Sequence, residues 1–329
     1  MRRLNDENGS MVVTVGVMFV ALLVLLSMTV DTGILQNERA ELQNGADAAA
    51  LSVAFSCARS SGCDTSLASQ YTTANARAGG TSAVESVSVD TAAGRVEVVT
   101  RTPDTPLEAA QLFGQDTALV RARGRARWGA AASIQGGTFP FAISGCDIAQ
   151  GLATQGGYVD IPPAPAGVGT VILFHDSANP STPECPNSFP FDEDGDGKLA
   201  GGFGKLELDG TAPCKVLTYA DASGDVWAPV KTGASAPPDW RCLQLNQVNF
   251  IPIFGDFRVI AGANEYRIVG YSAFYVTGVR MPGYTANPPC GGSSTCISGW
   301  FTESVAPGGG PICTTSYCNY GVSVVKLSY

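Results

Sequence analysis

The chain has 329 residues, 45% of them hydrophobic, with 39 glycines, 20 prolines, ten cysteines, one histidine and a formal net charge of −9. That size and apolar content suffice for a large core. The acidic balance argues against nucleic acid as a partner, and a single histidine leaves little scope for zinc or for histidine-based catalysis.

Met11 to Val30 reads MVVTVGVMFVALLVLLSMTV, with no charge and no proline. At 1.5 Å per residue a helix of this length spans about 30 Å, the thickness of a bilayer's hydrocarbon core. Thr14, Ser27 and Thr29 are tolerable there, because a helical hydroxyl can bond a backbone carbonyl one turn back. A cleaved signal peptide would have a shorter apolar region and a small-x-small cleavage site. Ser27-Met28-Thr29-Val30-Asp31 is a poor match, so a retained single-pass anchor is expected. Arg2 and Arg3 favour a cytoplasmic N-terminus, and Asp6 and Glu7 weigh little against them. The bulk of the chain then lies outside the cytoplasm, at a cell membrane.

Asp31 to Arg59 has no proline and is rich in good helix formers, which predicts that the helix continues past the membrane. Leu35, Leu42, Ala46, Ala49 and Val53 make one narrow apolar stripe. It can cover the protein's own globular part, or pack on other copies and partner helices. Gly33 and Gly45 are places where a bend could form.

A family resemblance rests on these residues. A polar start ending in Gly9-Ser10 precedes the apolar run, and Val30-Asp31, Gly33, Glu38-Arg39, Leu42-Gln43 and Asp47-Ala48-Ala49-Ala50-Leu51 follow it. The pattern resembles the N-terminal segment of the bacterial TadE/TadG-like Flp pilus-assembly proteins. Weaker echoes lie in Phe113-Gly114 with Val120 to Ala126, in Gly201 to Leu206, in Ile251 to Phe254 and in Tyr271 to Phe274. The resemblance implies a membrane-anchored, non-enzymatic component of a Tad/Flp-type pilus or secretion system. Its implied partners are other pilus-assembly components or pilin-like subunits, with self-association through the helix at 31–59 as a further possibility. Prepilin-type processing would cut after Gly9 and want a glutamate five residues on, where this chain has Thr14.

Beyond the helix, Ser66 to Ala78 reads as a second one, stopped by Gly79-Gly80. Val84 to Val89 and Arg95 to Thr100 alternate with period 2 around Ala92-Ala93-Gly94, a hairpin pattern. Leu107 to Phe113 reads as a short helix ended by Gly114. From Val120 to Trp128 the alternation is strict, with Arg121, Arg123, Arg125 and Arg127 on one face and small residues on the other, suited to close helix contact. The arginine row is a solvated face or a site for an anionic partner. The small, flexible run Gly129 to Gly137 marks a boundary. Beyond it, Pro-rich segments at Ile161 and Ala234 separate strand candidates at Gly169 to Phe174, Val216 to Tyr219, Phe257 to Ile260, Tyr266 to Val279 and Val322 to Leu327.

The expected fold is therefore α+β: a transmembrane helix continuing into a long helix on a small antiparallel, pilin-like sheet, followed by a β-rich disulfide-containing domain. The expected divisions are a cytoplasmic 1–10, a membrane span 11–30, the helix and small sheet 31–135, and the β-rich exoplasmic part 136–329. All ten cysteines follow the anchor, on the side where disulfides form. Near neighbours suggest Cys57–Cys63, Cys290–Cys296 and Cys313–Cys318. Cys146, Cys185, Cys214 and Cys242 can pair among themselves in any of three ways.

Among candidate sites, Asp192-Glu193-Asp194-Gly195-Asp196-Gly197-Lys198-Leu199 has carboxylates at calcium-loop positions 1, 3 and 5, the turn glycine at 6 and a carbonyl at 7. Asp192, Asp194, Asp196 and the Lys198 carbonyl are the expected Ca²⁺ ligands of a structural site. Position 12 is Phe203 instead of glutamate, so Glu207, Asp209 or water would complete the shell, and an acidic solvated turn is the alternative. His175 beside Asp176 has poor geometry for a catalytic pair, since neighbours on a strand point to opposite faces. No pair of carboxylates is singled out for glycoside hydrolysis. A membrane-anchored adhesin or ligand-binding surface module is the alternative to a pilus-assembly role.

Overall fold

The computed structural model describes residues 6–59, 62–76, 82–134, 138–160, 169–173, 204–210, 214–230, 242–281, 283–292, 294–307, 310–313 and 318–328. The chain divides into two compact units. The first is Met1–Cys57, Gly62–Arg127 and Leu327–Tyr329; the second is Ala58–Ser61 and Trp128–Lys326.

In the first unit one helix, α1, runs from Asp6 to Arg59 over 54 residues. Gly33 and Gly45 do not interrupt it. Its character changes sharply at Asp31. Before it, the most apolar stretch is wholly unburied and is long and apolar enough to cross a membrane. Ser27 and Thr29 donate their hydroxyls back to the carbonyls of Val24 (2.8 Å) and Leu26 (2.6 Å), as an apolar surrounding requires. From Asp31 onward one side is buried: Leu42, Ala46, Ala49, Ala50, Val53 and Ala54 form the inward stripe. The stripe covers the protein's own sheet, with Leu35 and Leu42 packed on Val120 and Ala122.

Helix α2, Ser66–Ala74, is shorter than its sequence suggests. Asn75 ends it, its backbone N–H (3.2 Å) and side-chain amide (2.8 Å) both donating to the Tyr71 carbonyl. A disulfide, Cys57–Cys63, ties the end of α1 to the approach to α2. The strands are β1, Ala83–Asp90, β2, Arg95–Pro106, and β3, Thr117–Ala130. They form an antiparallel β1-β2-β3 sheet, with Asp90 opposite Arg95 and Arg95 opposite Arg127. Gly94, at φ 58°, supplies the left-handed residue of the β1–β2 turn. The short helix expected from Leu107 to Phe113 is a 3₁₀ helix over Ala110–Phe113, ended as expected by Gly114 at φ 79°. Val96, Val98, Thr100, Val120, Ala122 and Ala126 make the buried face. Near the end of the chain, Ser328 donates its N–H to the Arg125 carbonyl (2.9 Å).

The second unit is β-rich. Its strands are β4, Ile143–Ser144, β5, Thr170–Leu173, β6, Tyr219–Ala220, β7, Val226–Pro229, β8, Val248–Ile260, β9, Ala263–Met281, β10, Tyr284–Ala286, β11, Cys296–Thr302, β12, Ser304–Val305, β13, Asn319–Tyr320, and β14, Val322–Leu327. The main sheet runs β4-β8-β9-β11-β5. Strand β9 is its axis. It pairs with β8, β11, β7, β10 and β13. Ala261 and Gly262, both at positive φ, make the tight turn between β8 and β9. Tyr266, Ile268, Tyr271 and Ala273 of β9 join one core cluster, and Phe274, Val276, Val279 and Met281 join another.

One element was not foreseen. Helix α3, Gly145–Gln155, carries two glycines in eleven residues and reads as a loop. Gly151 is required by packing, because a Cβ there would overlap the Phe301 ring. Gln155 accepts from the Phe301 N–H and donates to the Phe301 carbonyl, both at 2.8 Å, serving β11 beyond the end of its pairing with β5.

The three expected local disulfides form, and Cys214 bonds Cys242. Cys185 lies outside the described residues. With Cys214 and Cys242 joined, Cys146 with Cys185 is the expected remaining pair of the four. Non-reducing peptide mapping of exported protein should recover a Cys146–Cys185 peptide beside the four bridges above; a Cys146–Cys214 or Cys146–Cys242 peptide would contradict it.

Candidate functional site: the helix–sheet seam

The polar residues of α1 meet the small sheet in a continuous seam. Asp31, the first residue after the apolar span, is only 7% exposed. Its carboxylate accepts the N–H groups of Glu108 (2.7 Å), Ala109 (3.1 and 3.0 Å to the two oxygens) and Ala110 (2.8 Å). These amides open the 3₁₀ turn and have no carbonyl of their own turn to bond, so a carboxylate is a fitting acceptor. The Ala109 N–H first, then those of Ala110 and Glu108, hold the Asp31 carboxyl below the ordinary carboxylate range, against burial, which pushes it up.

Further along, the Thr102 hydroxyl donates to Glu38 Oε1 (2.6 Å) and the Thr100 hydroxyl to the Leu42 carbonyl (3.1 Å). Gln43 donates its amide to the Arg123 carbonyl and to Asp47 Oδ1, both at 2.9 Å. Burial raises the Asp47 carboxyl, and the Gln43 bond partly offsets this. At Gly124 the strand lies directly on the helix: a Cβ there would run into the Ala46 carbonyl and the Asp47 nitrogen. The small-residue face of β3 is thus a contact between backbones.

These geometries account for the conspicuous positions of the N-terminal pattern. Asp31, Glu38, Leu42, Gln43 and Asp47 all lie in the seam. Residues 9–58 match the Tad family model, Flp pilus-assembly TadE/G-like. The match covers the apolar span and the part of α1 that follows it, and stops before the sheet on which that helix rests. No curated protein and no solved structure matches the chain. The sequence pattern included Asp31 but assigned it no role. No local feature marks that role, because its donors lie 77 to 79 positions away.

The arginine row of β3 faces outward. Arg121 makes a two-pronged pair with Glu85 (2.6 and 2.7 Å), and Arg123 (3.3 Å) and Arg125 (2.6 Å) share Glu97. In the second unit a polar cluster surrounds Arg258. Its guanidinium lies 3.7 Å over the Trp227 ring and donates to Glu265 (2.9 Å) and to the Tyr219 hydroxyl (3.0 Å). Asp221 nearby accepts from the Ser223 hydroxyl (2.6 Å), the Trp227 ring N–H (2.7 Å) and backbone N–H groups of Ser223 and Asp225. Those bonds, the Ser223 hydroxyl foremost, hold its carboxyl down at about 2. The acidic spacing at Asp221, Ser223 and Asp225 imitates a cation loop, yet the Asp221 carboxylate is engaged by the chain's own donors.

The calcium-loop residues Asp192, Asp194, Asp196 and Lys198 lie outside the described residues, as do Phe203, His175, Asp176 and the Pro-rich segments at Ile161 and Ala234. Of the two carboxylates suggested to complete that shell, Asp209 pairs with Lys215 at 2.5 Å and Glu207 is exposed. Among the described residues no group of three acidic, histidine or cysteine side chains could hold a metal.

The seam makes a direct prediction. Asp31→Asn keeps the size of the side chain but removes one acceptor oxygen and the charge. In the full chain in detergent, the amides of Glu108, Ala109 and Ala110 should exchange hydrogen faster than in wild type, with exchange in β8 and β9 unchanged. Because the folded carboxyl titrates below its unfolded value, its stabilisation is complete above the ordinary aspartate pKa of about 3.9 and is lost as pH falls through the lower folded value. The difference between wild type and Asp31→Asn should therefore be full at neutral pH and vanish in acid. Equal exchange at neutral pH would refute the clamp.

Proposed function

We propose that this chain is a single-pass, non-enzymatic component of a bacterial Tad/Flp-type pilus-assembly or secretion system. Its N-terminus lies in the cytoplasm and the chain beyond the apolar span lies outside, at the cell surface, where it meets other pilus-assembly components or pilin-like subunits. The single observation that carries this reading is the continuity of α1. The helix that matches the TadE/G-like family is at once an unburied apolar rod and the bed of a folded sheet. Such a part works mechanically: it holds a stiff exoplasmic body at a fixed place relative to the bilayer. The charge flanking the apolar run, with Arg2 and Arg3 before it, supports the proposed orientation.

Protease added outside spheroplasts should digest both units and leave a membrane-embedded N-terminal fragment that starts before Met11. Affinity purification of the digitonin-solubilised chain should bring down other components of the pilus machinery. A chain released by alkaline carbonate, or one that binds carbohydrate or host surfaces and no pilus component, would overturn the assignment.

We also propose that Asp192, Asp194, Asp196 and the Lys198 carbonyl bind one structural Ca²⁺. The support is the spacing of these residues and of Gly197 in the sequence. Extracellular calcium modules bind at roughly 10⁻⁴–10⁻³ M, so about 5 mM calcium, a roughly five- to fiftyfold excess over Kd, stabilises the fold by about 1–2 kcal/mol. The detergent-solubilised chain should melt at a higher temperature in about 5 mM calcium than in chelator. Asp192→Ala and Asp194→Ala should each lose that gain. Identical melting of all three proteins in both conditions would reduce the loop to a charged turn.

A further inference from the structure

The outer face of the small sheet carries more positive charge than its own pairing uses. Arg95 and Arg101 of β2 and Arg121, Arg123, Arg125 and Arg127 of β3 lie on it, all exposed. Glu85, Asp90 and Glu97 are interleaved with them. Six guanidinium groups against three carboxylates leave the face at +3, in a chain whose net charge is −9. The strand register concentrates the excess. Arg101 stands directly opposite Arg121, and Arg95 directly opposite Arg127. Like charges directly opposite each other weaken a sheet. Each carboxylate has a guanidinium at close range: Glu85 holds Arg121, Asp90 holds Arg95 and Glu97 holds Arg125. Arg123 is a second, longer partner of Glu97 at 3.3 Å. Removing Arg123 and Arg127 would leave each of these carboxylates paired, so the sheet does not need them for its own cohesion.

The geometry of the row defines what fits it. Successive arginines of β3 are two residues apart on one strand, a repeat of about 6.4–6.8 Å. An extended peptide has the same repeat. Acidic residues at every second position of such a peptide bring one carboxylate to each guanidinium, the pairing that Glu85 and Arg121 already make within the sheet. The seam fixes where the row lies. Gln43 meets the Arg123 carbonyl and Gly124 rests on Ala46, so β3 runs along α1 in the same direction and its outer face looks away from the helix. The lowest pair, Arg101 and Arg121, stands beside the Glu38–Leu42 stretch, about 10–16 Å along α1 from Asp31. Headgroups extend only about 5–7 Å beyond the hydrocarbon core. On the membrane-anchor reading the row therefore starts above the headgroups and leads away from them, and lipid phosphate is not its counterpart.

We propose that the arginine face of the small sheet docks an extended acidic segment of a partner protein, laid along β3 with carboxylates at alternate positions over Arg123, Arg125 and Arg127. The inference deepens the proposed function, on which it rests, by giving the chemistry of the partner. Carboxylates seated on this face also screen the two arginine pairs that oppose each other across β2 and β3. The free sheet thus holds a repulsion that the bound partner removes, and binding and sheet stability rise together.

The test uses the full chain in a zwitterionic detergent at low salt, titrated with a short fluorescent peptide of alternating threonine and glutamate and followed by anisotropy. A peptide of the same composition with its glutamates in one block is the control, and inorganic polyphosphate is the competitor. The alternating peptide should bind at least about tenfold more tightly than the block peptide, and added salt should release it. Arg123→Thr with Arg127→Thr should weaken binding at least about tenfold. Amide exchange in β2 and β3 of that variant should be no faster than in wild type, because no carboxylate of the face loses its close partner. A row with a structural role alone would show the reverse, unchanged binding and faster exchange. No binding by wild type, equal binding of the two peptides, or tighter binding of polyphosphate would overturn the inference, the last by making the partner a phosphate polymer. Peptide binding in detergent does not depend on a bilayer, so release of the chain by alkaline carbonate would defeat the anchor reading and leave the binding result standing.

Discussion

A single carboxylate, set where the helix leaves its apolar span, is the constraint on which the first unit depends. Asp31 takes three backbone N–H groups that the 3₁₀ turn cannot satisfy internally. Without it, the connection between β2 and β3 would end in buried donors with no acceptor, a cost large enough to open the turn. With it, the lower end of the sheet is fixed to the helix. The rest of the seam follows in order: a hydroxyl on Glu38, apolar contact at Leu42, an amide bridge from Gln43 and the bare backbone at Gly124. Polar bonds set position along the helix, and small residues set the distance from it.

The second unit is organised on another principle. There one long strand, β9, is shared by neighbours on both edges and supplies large side chains to two separate clusters. Tyr266 stacks on Phe254 of β8 at 4.3 Å, and Phe274 lies against Phe301 of β11 at 4.8 Å. Disulfides add local closure at Cys214–Cys242, Cys290–Cys296 and Cys313–Cys318. The first unit is thus positioned by specific polar bonds to one helix, and the second by the burial of aromatic and branched side chains around one strand.

What the sequence made legible follows from which physical signals are periodic. The apolar span, the stripe from Leu35 to Val53, the β1–β2 hairpin and the alternation in β3 repeat with the period of their secondary structure, and each was found close to its expected place. β14 was found at its expected bounds, Val322 to Leu327. Strand β8 begins at Val248, well before the expected Phe257, and runs through Pro252 and Gly255, residue types that weaken a strand pattern; β9 extends past Tyr266 and Val279 at both ends. The expected strand at Val216 to Tyr219 is reduced to a lone bridge at Val216 and a short strand beginning at Tyr219. Helix α3 escaped notice because its glycines lower helix propensity, and its reason for existing is a contact with Phe301 far along the chain. Asp31 was visible as a residue but not as a clamp, since its three donors lie 77 to 79 positions away. Pairwise chemistry across such separations leaves no local trace.

The uninterrupted run of α1 from Asp6 to Arg59 has a geometric corollary. A helix advances about 1.5 Å and turns about 100° per residue, and nothing between the span and the seam acts as a swivel. The azimuth of the sheet around the axis of the apolar span is therefore written into the residue count along α1. Adding one alanine after Val30 would leave every contact of the seam intact and yet rotate the whole sheet by about a quarter turn relative to the apolar span. On the proposed membrane-anchor reading, α1 is thus a keyed shaft as well as a tether, and it fixes which way the small sheet faces.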